Sequence, residues 1–131
     1  MENKKSFLST IWVFVTLNYL YCDLIGLMDS SLLKQYLTGN VDGLAINENF
    51  LLYAGILMEI PIAMVLISRV LRKNVNCWTN IMAGTLKTIV MIITLFMGSI
   101  TKYYVFFASI EIATTLFIVG YAVKWLRQKE V

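Results

Sequence analysis

Polar positions along this chain are few and grouped. Between them run four long apolar stretches, residues 9–28, 50–71, 78–100 and 103–124. Each is near the ~20 residues that a helix needs to cross a bilayer. The breaks after the second and third stretches are short, so neighbouring helices must be antiparallel and the pattern predicts an up-down-up-down bundle. One connection is long, residues 29–49. Its first part, SSLLKQYLT, puts Leu32, Leu33, Tyr36 and Leu37 on one helical face with Lys34 and Gln35 off it. That predicts a short helix in the outer interface, with Asp29 or Ser30 as its N-cap. It reads either as a tether with an apolar underside or as a lid over an outward-facing cavity. The second part, GNVDGLAINEN, is turn-rich, and Asn47 or Asn49 is placed to cap the second span. The expected fold is all-α: an integral membrane four-helix bundle forming one domain over residues 1–131.

Composition agrees. Of 131 residues, 59% are hydrophobic and 15% charged, and the mean hydropathy is +0.73. A soluble domain this small exposes too large a share of its surface to hide so much apolar area. The first apolar run is too long, and too polar in places, for a cleaved signal peptide. Basic residues set an orientation. Eight of them (Lys4, Lys5, Arg69, Arg72, Lys73, Lys124, Arg127 and Lys129) lie on one side, against Lys34 and Lys102 on the other. By the positive-inside rule both termini are expected in the cytoplasm of a cell-membrane protein. Trp12, Trp78 and Trp125 fall at the cytoplasmic helix ends, and Tyr36, Tyr53, Tyr103 and Tyr104 near the outer ones. The net charge of +3 therefore reflects topology and does not indicate nucleic-acid binding. Cys22 and Cys77 fall on opposite sides of the membrane, so they are not expected to pair. With no histidine in the chain, His-ligated haem, the usual zinc sites and a His general base are excluded. No cofactor or metal is expected.

The chemistry lies in the ionisable residues inside the spans: Asp23, Glu59, Lys87 and Glu111, one on each helix. At ~1.5 Å rise per residue, Glu59, Lys87 and Glu111 lie about 13 Å from a helix end, close to the bilayer midplane. Asn18 shares that depth, and Asp23 lies roughly a turn and a half higher. Small and polar residues share their faces: Asn80, Gly84, Lys87, Met91, Thr94 and Gly98 on the third span; Ala108, Glu111, Thr115 and Ala122 on the fourth; Gly55, Glu59 and Ala63 on the second. Such stripes face neighbouring helices in membranes, so the carboxylates are expected to point inward. A charged residue at the centre of a span costs ~2.5–3.5 kcal/mol on insertion scales. Lys87 can neutralise one acid, Glu59 or Glu111, and the other then needs a proton, water or a bound cation. Pro61 removes the donor for the Leu57 carbonyl, which either shapes packing alone or opens an acceptor.

The stretches IWVFVTLNYLYCDLIGLM, EIPIAMVLISRVL, NCWTNIMAG and YYVFFASIEIATTLFIVGYAVKW resemble an uncharacterised family of small bacterial four-span membrane proteins. The resemblance covers all four helices and implies no activity. Glu59 followed by the basic cluster from Arg69 to Lys73 is more loosely similar to the DoxX-like four-helix proteins. The reading that fits the cluster best is a membrane protein that binds or transports a small polar solute or ion through Glu59, Lys87, Glu111, Asp23 and Asn18, with proton linkage a natural consequence. The alternative is a membrane subunit or scaffold whose polar cluster fastens helices together. A membrane enzyme acting on a lipid-like substrate is the third reading, for which no nucleophile or metal motif is present. The expected partners are the bilayer, the solute and a second copy of the chain, since four helices enclose little volume.

Overall fold

The computed structural model describes residues 2–41, 43–97 and 101–128. Among these, the chain forms α1 (Glu2–Met28), α2 (Ser30–Thr38), a two-stranded hairpin of β1 (Asn40–Val41) and β2 (Leu44–Ala45), α3 (Glu48–Val70), α4 (Lys73–Leu95) and α5 (Lys102–Arg127). Four of the helices are long and apolar enough to cross a membrane, and the chain is a multi-pass membrane protein. The helices outrun the apolar stretches: α1 starts at Glu2 and α4 at Lys73. Backbone hydrogen bonding continues past the apolar slab because a helix must satisfy its own amides whether lipid or water surrounds it. The end of the third stretch, with Gly98, lies outside the described residues.

Local chemistry sets the breaks. Asp29 caps α2, its Oδ1 accepting from the Ser31 and Leu32 amides at 3.1 and 3.4 Å. Gly39 ends α2 in the left-handed region at φ 78°, where a side chain would be strained, and its amide bonds the Gln35 and Tyr36 carbonyls. The hairpin follows, pairing Asn40 with Ala45 and Val41 with Leu44. Asn47 caps α3 by accepting from the Phe50 amide at 2.9 Å, and Thr101 caps α5.

The bundle is held most extensively by α4 against α5 and by α1 against α3, while α3 meets α4 only lightly. At the end away from α2, an asparagine pair one turn apart on α4 ties three helices together. Asn80 Oδ1 accepts from Trp12 Nε1 at 2.7 Å, and Asn80 Nδ2 donates to Asn76 Oδ1 at 2.7 Å. Asn76 Nδ2 donates to the Ser68 carbonyl at 2.7 Å. Beside it, Ser9 Oγ donates to the Val65 carbonyl at 2.8 Å and accepts from Arg69 Nε at 3.1 Å. Buried polar groups without partners would cost about 1–3 kcal/mol each, so the whole network is satisfied or it fails. Trp12, through this network, and Trp125 are buried and so do not face outward as anchors; only Trp78 of the three is exposed. The indole of Trp12 faces inward because its N–H has a buried acceptor there.

Candidate functional site

The site begins with a missing hydrogen bond. Pro61, buried in α3, has no amide to offer the carbonyl one turn before it, at Leu57. Lys87 of α4 reaches that carbonyl, with Nζ 3.5 Å from the oxygen. The same ammonium lies 4.3 Å from the centroid of the Tyr19 ring of α1, within the range of a cation–π contact. Lys87 is only 3% exposed. Its position follows from the buried face of α4, on which Asn80, Gly84, Lys87, Thr88 and Met91 all lie.

Across from it stands α5. Gly84 lets this helix come close: a Cβ there would lie 2.7 Å from Val119 Cγ2 and 3.3 Å from the Thr115 carbonyl oxygen. The Thr88 and Thr115 hydroxyls meet at 2.7 Å across the same contact. One turn from Thr115, Glu111 turns inward and is 1% exposed. Among the described residues its Oε2 has no hydrogen-bond partner, and neither does the hydroxyl of Tyr19. Tyr19, Lys87 and Glu111 together line one cavity of about 230 Å³, which Cys22, Asp23, Met58, Met91, Thr94 and Tyr104 also line. At ~30 Å³ per water the cavity has room for several waters or one small molecule.

A second cavity of about 730 Å³ lies at the α2 end of the bundle, bounded by α2, the hairpin and the facing ends of α4 and α5. Asp29, Ser31, Gln35, Tyr36 and Thr101 set polar groups in a lining that is otherwise mostly apolar. Burial pushes the Tyr36 phenol above its ordinary range, with the charges of Asp23 and Cys22 adding to the shift, so it remains a neutral hydroxyl here. Tyr103 Oη donates to Asp29 Oδ2 at 3.2 Å, fastening the start of α5 to the cap of α2. Among the described residues, no group of three His, Cys, Asp or Glu side chains is placed to hold a metal ion.

Of the five residues expected at the site, the structure gathers Lys87, Glu111 and Asp23 around one cavity. Glu59 is elsewhere. It stands on the exposed face of α3, because Pro61, Met64 and Ser68 are the buried positions of that helix and a step of two residues turns about 200° around a helix. Gly55, read as part of an inward stripe with Glu59, has open space beside it. Lys87 forms no ion pair with either acid: its described contacts are the Leu57 carbonyl and the Tyr19 ring. Asn18 donates to the Phe14 carbonyl of its own helix at 2.9 Å and does not line the cavity. Tyr19 and Tyr104 are the site residues that the charge-centred reading passed over. Tyr19 shares a helical face with Asp23, and that was the available signal.

A family model described as "Family of unknown function (DUF6326)" matches residues 1–131. No curated protein and no solved structure matches the chain. The looser similarity to DoxX-like proteins finds no support in these comparisons.

Proposed function

We propose, for a chain that belongs to DUF6326, a family of unknown function, that the inner cavity binds a small polar solute inside the membrane. What carries the reading is that Glu111 and Tyr19, whose Oε2 and hydroxyl are buried and without a hydrogen-bond partner among the described residues, line one cavity together with Lys87. An unsatisfied buried polar atom costs about 1–3 kcal/mol, so two in one place favour a ligand that satisfies both. Such a ligand donates to Glu111 and accepts from Tyr19 and Lys87, as a small zwitterion or a hydrated ion does. Asp23, nearer the α2 end, adds a second negative group on the approach. Exchange of a proton at Glu111 would couple to the arrival of a cationic group. With eight basic residues at one end and two at the other, the α2 end faces outward and both termini are cytoplasmic.

A scaffold reading requires Glu111 to be inert, and this is testable without knowing the solute. Infrared difference spectra of the protein in lipid, recorded across pH, are expected to contain a carboxyl C=O band that changes with pH and is lost in Glu111→Gln. Glu59→Gln is expected to leave that band in place. If Glu111→Gln removes no pH-sensitive band, the acid does not exchange protons with water and the scaffold reading stands.

A further inference from the structure

The two cavities are neighbours. Thr94, in the last turn of α4, and Tyr104, in the first turn of α5, line both of them. Between the two residues runs a single hydrogen bond, Tyr104 Oη to Thr94 Oγ1 at 2.8 Å. We infer that the larger cavity is the entrance by which a water-borne solute reaches the inner one, and that this Tyr104–Thr94 bond is the barrier between the two.

The other routes are poorer. Away from α2 the bundle is closed by the Trp12–Asn80–Asn76 network and by Leu8, Val15, Met64 and Ile118, each no more than 2% exposed. Opening there breaks several hydrogen bonds and separates a packed core. The inner cavity is already partly open, but a way out through the light contact between α3 and α4 leads to lipid, which is no source of a polar solute. At the α2 end, by contrast, Asp29, Ser31, Gln35 and Thr101 set polar groups along a largely apolar lining. The barrier also sits where movement costs least, since the first and last turns of helices open locally before the middle does. Tyr103 and Tyr104 then have separate tasks: the first fastens α5 to the Asp29 cap, and the second closes the passage.

The assignment gains its purpose from the reading of the inner cavity as a solute site, but its test does not need that reading. Cys22 lines the inner cavity and is buried at 7% exposure, so it reports entry. In a Cys77→Ala background in lipid nanodiscs, the rate at which a small water-soluble methanethiosulfonate modifies Cys22 is followed by mass spectrometry. Tyr104→Phe and Thr94→Val each delete the barrier bond while keeping most of the side-chain volume. Each is expected to speed labelling about 2- to 12-fold, the range one hydrogen bond commands. Thr94→Ser keeps the hydroxyl and is expected to label at the parent rate. Ser31→Trp, which fills part of the outer cavity, is expected to slow labelling. Unchanged rates in both Tyr104→Phe and Thr94→Val overturn the barrier, and an unchanged rate in Ser31→Trp overturns the outer cavity as entrance. If labelling follows the expectation while Glu111→Gln leaves the infrared spectrum untouched, the passage stands and the solute reading falls.

Discussion

Replacing Gly84 by alanine tests whether the close approach of α4 and α5 builds the site. The new Cβ meets Val119 Cγ2 at 2.7 Å and the Thr115 carbonyl oxygen at 3.3 Å. The first contact is a β-branched side chain with little rotamer freedom in a helix, and the second is backbone that moves only if α5 moves. Forcing a methyl into a filled contact costs about 1–3 kcal/mol, and these two neighbours put the cost near 2–3. Against it stands the helix-propensity gain of glycine to alanine, about 0.8–1.0 kcal/mol, leaving a net loss of about 1–2. Gly120 on α5 supplies the reference, because a Cβ there meets nothing within 4 Å. Gly120→Ala takes the propensity gain with no clash, so the difference between the two variants isolates the overpacking cost. The assay is reversible unfolding in mixed micelles by SDS titration, followed by far-UV circular dichroism. Gly84→Ala is expected to unfold earlier than the parent and Gly120→Ala no earlier. Coincident midpoints for the two variants refute the close contact, and with it the placement of Glu111 opposite Lys87.

Two further outcomes are expected. Trp12→Phe removes the 2.7 Å donor to Asn80 Oδ1 and leaves that oxygen only the Ser68 hydroxyl at 3.4 Å. A loss of about 1–3 kcal/mol should follow, whereas Trp78→Phe, at an exposed position, should unfold with the parent; equal midpoints for the two variants would count against the network. In a chain freed of Cys22 and Cys77, cysteines introduced at Ser6, Asn74 and Gln128 should react with an impermeant maleimide from the cytoplasmic side alone and one at Asn40 from the outside alone, and labelling of Asn74 from outside would reverse the orientation.

The membrane nature and the helix count were legible in the sequence because they rest on length and local composition. An apolar run near 20 residues has one economical structure in lipid, and a short polar break has one way to join two such runs. Asp29 and Asn47 were among the expected caps for the same reason: a cap acts on amides two or three residues away, so the determinant is local. Lys87 and Glu111 were legible as a meeting pair in depth, since depth follows from counting along each helix. Rotation was not. Which face of α3 turns inward depends on Pro61, Met64 and Ser68 finding the bundle interior, and that choice carried Glu59 to the outside despite the small residues flanking it. Lys87 was expected to seek a carboxylate, yet its described contacts are the Leu57 carbonyl and the Tyr19 ring. The proline frees that carbonyl locally, but only the packing of α3, α4 and α1 brings the amine to it. The Trp12–Asn80 bond joins residues 68 positions apart, and the Tyr104–Thr94 barrier joins two helix ends. Such pairings are decided by how helices rotate and cross, a property of the assembled bundle that no single helix encodes.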